Sequence, residues 1–465
     1  MGILNIKNIQ GRYSTINEIK KSEKEGTLHL LYEYYINMYG SKNYSHNLLV
    51  PFFINNKEHE VYIINNPKDA ERLANTHIKK MPNLKTYLFD SIISTTDNDN
   101  WKNQRRNLVP AFSVADELVN IIPISVKRAV YCSKLLWEIS DEGDDEININ
   151  DFFLNEAMAQ LQLGMFGLSD DFEKSTNAKI RNAFNTFNTK YGKKYGLNLL
   201  KNIKKAKGPL SIALNDLNKE TSSKTEPFGN GIIFTFAGHD TTGHTLTWLI
   251  YELCKNDKYK TELYEEVDNF WKEQGNKEIE YDDLKRLSFM TKCIFETLRL
   301  WPAIPNGTFR ELTKDDYITG TNNEKIKLKK GSYVQISNWL RHRNSKLWGD
   351  DVNTFNPYRD FEEDENWNGS SLASYNPNSE RFSPFTYGPR DCIGKNFSQI
   401  EMRIILIHLL KDYDFYLSDI HNSNDLYKLT INGFTMGPRN PYNEKMSDKT
   451  MGLYVYVNKR RKSKL

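Results

Sequence analysis

Cys392 stands in a short turn, Phe385-Thr-Tyr-Gly-Pro-Arg-Asp-Cys-Ile-Gly394, and a helical run, Lys395-Asn-Phe-Ser-Gln-Ile-Glu-Met-Arg, starts directly after it. A helix beginning near Gly394 points backbone N–H groups and its positive dipole end at the sulfur. Both favour the thiolate, the form that binds a metal. Cys132, Cys254 and Cys293 have no such setting and read as small packing residues. A second pair of chemical groups, Asp240 and Thr241, sits in Ala237-Gly-His-Asp-Thr-Thr242. Apolar runs flank that segment on both sides, so it reads as the middle of a buried helix of about 30 residues, roughly 45 Å long. An acid and a hydroxyl there are costly unless they have partners or a task. His239 and His244 beside them read as hydrogen-bonded wall residues.

Two further groupings pair an arginine with a neighbour one helical turn away. Trp101 and Arg105 can bring an indole N–H and a guanidinium to one anion. Glu296 and Arg299 share a helix face and can pair, and Leu300-Trp-Pro302 ends the helix just beyond. Two downstream arginines compete to join them: Arg359, after Phe355-Asn-Pro-Tyr358, and Arg381, in Glu380-Arg-Phe382. The reading favours Arg359.

The ten-residue turn, with Phe385, Gly388, Arg390, Cys392 and Gly394 at their spacing, closely resembles the ligand loop of the cytochrome P450 family. The segment around Asp240 and Thr241 resembles that family's distal-helix acid–alcohol pair, and Glu296-Thr-Leu-Arg299 its E-x-x-R helix. Trp101 and Arg105 match its W-x-x-x-R, and the four motifs occur in the family's order from Trp101 to Gly394. The resemblance implies haem b, with Cys392 as the iron ligand and Trp101, Arg105, Arg310, Phe385 and Arg390 as its binding residues. Asp240 and Thr241 would be the catalytic pair, governing proton delivery during dioxygen activation.

The implied activity is monooxygenation of an apolar small molecule: a lipid, sterol, terpenoid or xenobiotic. Electrons would come from a separate NADPH-dependent reductase or a ferredoxin. An isomerase or dehydratase on the same scaffold and a non-catalytic haem sensor are the alternatives. AGHDTT and ETLRLWP look most like the eukaryotic microsomal branch, from which the polar N-terminus, without a membrane anchor, departs. The substrate pocket would be lined near residues 91–97, 233–237, 303–308 and 432–436.

These residues need long helices to hold them. From Asp99 to Leu300 the pattern is mostly helical, with strand-like runs at Leu48 to Ile54, Glu60 to Ile64, Lys325 to Ser337 and Gly452 to Val457. Asn65-Asn-Pro67 signals a helix start at Pro67. The fold class expected is mainly α with a minor β region, the cytochrome P450 fold. One domain over 1–465 is expected, with an extension over about 1–25 and a basic tail at 458–465. Lys- and Asn-rich residues 170–227 read as helices and loops over a pocket.

The 63 basic and 60 acidic residues nearly balance, which argues against a nucleic-acid partner. Four scattered cysteines make no disulfide framework and no zinc site. No uninterrupted apolar run reaches the 18 or so residues of a membrane span, so none is expected. A cytoplasmic or peripherally membrane-associated protein follows, and Ser463, Lys464 and Leu465 match a peroxisomal address.

Overall fold

The structure is a computed structural model that describes residues 3–40, 47–169, 190–221, 223, 225–320, 322–359, 381–386, 388–422, 425–443, 445–446 and 450–460. Ser463, Lys464, Leu465 and Glu380 lie outside the described residues, as does much of the Lys- and Asn-rich region.

Helices dominate, and they frame the site. Asn98–Leu108 (α1) carries Trp101 and Arg105, and Asp97 caps its start by accepting from the Asp99 and Asn100 amides. Val119–Ile139 (α2) and Ile149–Gln160 (α3) pack against each other. The central helix, Glu226–Lys255 (α4), runs 30 residues without a break and is buried along most of its length. It is that long because apolar residues recur all round it, as expected of a helix enclosed by others. A Cβ on Gly243 would lie 2.9 Å from the Leu154 Cα, so that glycine is what allows α3 and α4 to touch. Asp257–Gln274 (α5), Ser288–Leu300 (α6) and Lys395–Asp412 (α7) complete the frame.

A five-stranded sheet lies to one side. Its order is Ile3–Asn5 (β1), Asn47–Ile54 (β2), Lys57–Ile64 (β3), then Tyr333–Ile336 and Thr308–Glu311. β2 and β3 form a hairpin whose turn residues Asn55 and Asn56 both have positive φ, a conformation asparagine tolerates better than most residues. The helix starting at Pro67 is present as Pro67–Thr76, with the Asn66 side chain accepting from the Asp69 amide at 3.2 Å. A short hairpin pairs Thr430–Asn432 with Met436–Pro438. One hydrophobic cluster gathers residues from Ile6 to Val457.

Glu296 and Arg299 form a wholly buried pair, with Nε–Oε2 at 2.8 Å and Nη2–Oε1 at 2.7 Å. Arg359 is the arginine that reaches them, its Nε 3.2 Å from Glu296 Oε1. Arg381 instead donates to the Leu347 carbonyl and lies over the Trp348 ring.

Among the described residues one helical stretch, 98–139, is long and apolar enough to cross a membrane by length and composition. The sequence expectation of no span rested on uninterrupted apolar runs. Averaging across the charged Asp116 and Glu117 is what lets this stretch pass. Its helical geometry changes at 109–118, and its first helix carries Trp101 and Arg105 into the interior.

Candidate functional site

An internal cavity of about 480 Å³ lies between α4 and the start of α7. Cys392, Phe385, Ile393 and Gly394 line one wall; Ile233, Phe234, Phe236, Gly238 and Thr241 line the opposite one. The turn that presents the thiol is fixed by its own backbone: the Cys392 amide donates to the Phe385 carbonyl at 2.9 Å. Gly388 has φ +61°, a conformation that favours glycine. Gly394 differs. Its φ is −88°, and a Cβ would make only ordinary contact with Phe112.

Cys392 is exposed and lines the cavity. Burial pushes its thiol up from the ordinary value. The Gly394 N–H, Arg105 and Lys395 pull it down, and Asp391 works against them. The helix-start effect read from sequence is therefore present but outweighed by desolvation. A bound cation at the sulfur supplies the missing compensation, since a coordinating thiol is deprotonated outright.

Lys80 and Arg390 line the cavity, and Arg310 lies behind its lining. Lys80 Nζ donates to Thr308 Oγ1 at 2.9 Å, and Arg310 donates to the same hydroxyl. Arg390 lies over the Trp101 ring, 4.5 Å from its centroid. Its contacts to the Ile92 and Thr95 carbonyls and Asn98 Oδ1 are long, all 3.4 Å. Arg310 Nε and Nη2 and Arg390 Nε are buried without a hydrogen-bond partner among the described residues. Burial lowers Arg310 to about 10, and burial followed by repulsion from Arg310 and Arg105 lowers Arg390 to about 9. Lys80 falls well below its usual range, through burial and then repulsion from Arg310 and Arg390. Buried charges with few partners are costly, and an anion placed among them would relieve that cost.

The other expected residues divide. Trp101, Arg105 and Phe385 line the cavity. Arg105 is bound to Asp391, through the side chain and, at 2.7 Å, through the backbone carbonyl, and Asp391 also holds Lys395 at 2.9 Å. Thr241 lines the cavity while its hydroxyl donates to the Ala237 carbonyl at 2.9 Å. Asp240 is not in the cavity lining; it accepts from Thr435. Its oxygens lie 3.7 Å from His239 Nε2 and 3.9 Å from His244 Nε2. Gly238 gives room chiefly to a neighbour, because a Cβ there would meet Leu161 Cδ1 at 2.7 Å.

A sequence profile described as Cytochrome P450 matches residues 210–443, half of the chain. The chain belongs to the cytochrome P450 family. Among curated relatives, "Putative cytochrome P450 CYP13A2" of Caenorhabditis elegans is 34% identical over 199 residues, covering 43% of this chain and 35% of that protein. Human cytochrome P450 4F8 is 35% identical over 173 residues, 37% of this chain and 30% of that protein. Human cytochrome P450 4F2 is 36% identical over the same length and shares. The matches thus span about a third of the length of these relatives.

Membership of the cytochrome P450 family implies haem, and the residues present fit it. A planar group with a metal centre and two carboxylate arms would answer the thiol and the unpaired cations together. Lys80 belongs to that fit and was not found from sequence. It stands in Ile78-Lys-Lys-Met81, where two adjacent lysines look like surface residues. Only the fold turns one of them towards Thr308 and the arginines.

Proposed function

We propose that this cytochrome P450 is a haem-thiolate monooxygenase that places one atom of dioxygen into an apolar organic molecule. The haem, haem b in this reading, supplies the redox chemistry of oxygen activation when bound. Cys392 is its iron ligand. Lys80, Arg310 and Arg390 take the carboxylate arms, with Trp101 and Arg105 beside them. Phe385 shields the sulfur.

The observation that carries this reading is a thiol, Cys392, that shares one cavity with Lys80 and Arg390, while the buried Arg310 is joined to Lys80 through Thr308. Phe234, Phe236, Ile233, Ile304 and Phe434 keep water from the distal side and favour an apolar substrate such as a lipid, sterol, terpenoid or xenobiotic. Thr241 holds its hydroxyl at the cavity wall, and Asp240 one residue earlier is the proton source behind it. Electrons come from a separate NADPH-dependent reductase or a ferredoxin. The whole chain acts as one haem domain, cytoplasmic or peripheral to a membrane, with residues 463–465 a possible peroxisomal signal.

The decisive measurement is the visible spectrum of the reduced, carbon-monoxide-bound protein. A strongly red-shifted Soret band in the wild type, lost in Cys392→Ala, is expected. A red-shifted band retained by Cys392→Ala removes this cysteine as the ligand.

A further inference from the structure

Asp240 is the group on which proton supply rests in the proposed function, yet it does not touch the cavity. What holds it elsewhere is a feature of this chain's three-dimensional arrangement. The hairpin of Thr430–Asn432 and Met436–Pro438 has a three-residue turn, Gly433-Phe434-Thr435. The turn is closed by the Gly433 amide donating to the Thr435 carbonyl at 3.1 Å. The strand just after it is pinned from two sides. The Met436 amide donates to the Ala303 carbonyl at 3.0 Å, and Trp248 Nε1, from α4, donates to the Met436 carbonyl at 3.2 Å. Thr435 is thus a buried hydroxyl on a rigid support, and it donates to Asp240 Oδ2.

Two histidines face the same carboxyl from farther away. His239 Nδ1 lies 2.7 Å from the Thr235 carbonyl. Its other nitrogen faces Asp240 from 3.7 Å, beyond hydrogen-bond reach. His244 Nδ1 is engaged with Asn150 Oδ1 at 2.8 Å, and its Nε2 is 3.9 Å from Asp240.

The same turn also shapes the substrate side. Asn432, Gly433 and Phe434 line the cavity, and the Phe434 ring meets Phe236 edge-on at 5.0 Å. Phe236 is one helical turn before Asp240 on α4. Two successive residues of one turn therefore grip two successive positions on one face of α4: Phe434 on Phe236, and Thr435 on Asp240.

We infer that Thr435 is the positioning residue for Asp240, and that through it the hairpin that walls the substrate cavity also sets where the proton-supplying carboxyl stands. The inference rests on the monooxygenase reading for what Asp240 does, but not for the contact itself.

The test uses the haem-loaded full chain and four variants: Thr435→Val, which keeps shape and removes the donor; Thr435→Ser, which keeps the donor; Asp240→Asn; and the double variant Thr435→Val/Asp240→Asn. Two quantities are read: the thermal midpoint, and the hydrogen peroxide released per reduced nicotinamide consumed with a reductase and dioxygen. The peroxide yield needs no knowledge of the substrate. Thr435→Val is expected to shift it at least two-fold, in the direction and to the extent of Asp240→Asn. Thr435→Ser should stay near wild type, and the double variant should match the worse single one, as residues acting through one contact do. A wild-type yield in Thr435→Val beside an altered one in Asp240→Asn overturns the inference, as do effects that multiply in the double variant. If Asp240→Asn itself leaves the yield unchanged, the proton-supply role of Asp240 fails instead, and if the wild type consumes no reductant the monooxygenase reading fails. The thermal midpoints then decide the contact alone: it stands if the double variant melts with the worse single one and falls if the losses add.

Discussion

Thr241 shows how little a side chain must do to matter at this site. Its hydroxyl is already satisfied by the Ala237 carbonyl, so removing it leaves no buried group unpaired. The cost to folding is accordingly small, within about 1 kcal/mol for a hydrogen bond that water can replace. Thr241→Ala is therefore expected to load haem and bind an apolar inhibitor as the wild type does, while consuming several-fold more reductant per product formed. Titrating the inhibitor by its Soret shift and measuring the reductant-to-product ratio checks both halves. Full coupling in the variant would take Thr241 out of proton delivery. At this scale the sequence was most legible where type and spacing alone confine the chemistry: Cys392 between its glycines, and Thr241 inside an apolar run. It was silent where a residue's meaning depends on who faces it across the fold. Lys80 is an ordinary lysine until Arg310 and Arg390 stand beside it, and Thr435 is an ordinary threonine until Asp240 turns towards it.

The central element, α4, could be read almost to its ends, because thirty residues of mostly apolar character leave a long enclosed helix as the natural solution. The short strands Thr308–Glu311 and Met436–Pro438 could not, since three or four residues carry too little periodicity to separate strand from loop. Further along α4, away from the cavity, Glu252 is fully enclosed and accepts from Trp301 Nε1 at 2.7 Å. Trp301 in turn stacks on Trp248 at 4.1 Å. Burial raises the Glu252 carboxyl from an ordinary 4.5 to about 7. For an acid with a raised folded pKa the sign is unfavourable at high pH. Below about 4.5 both folded and unfolded chains hold the proton; between 4.5 and 7 the unfolded chain releases it first, and the fold loses stability across that window. The loss approaches about 3 kcal/mol above pH 7, at 1.36 kcal/mol per unit. Glu252→Gln still offers Trp301 an acceptor and cannot ionise. Its stability in urea should exceed that of the wild type at pH 8, with the difference closing towards pH 4.5. An equal difference at both pH values would mean that Glu252 does not titrate in this window.

For the molecule as a whole, the proposed haem-binding role of the cation cluster would tie folding to cofactor capture. Without an anionic ligand, Lys80, Arg310 and Arg390 repel one another in a desolvated corner, and the fold carries that strain as lost stability. A ligand that binds the folded chain and not the unfolded one raises stability by mass action. Here the gain is enlarged because the same ligand neutralises the cluster. The two effects make Lys80→Met act in opposite directions on the two forms. It keeps a flexible apolar stem in the same space and removes one of three like charges, so the haem-free variant should unfold at a higher temperature than the haem-free wild type. The haem-loaded variant loses a charge-assisted hydrogen bond worth about 1.5–3 kcal/mol, about ten- to a hundredfold in haem affinity. The rise in thermal midpoint on adding haem should therefore shrink from both ends, with a faster transfer of haem from the variant to an apoprotein acceptor as the independent readout. A variant that is less stable than the wild type without haem, and unchanged in its haem transfer rate, would place Lys80 among the structural residues and leave the carboxylate arms to the arginines.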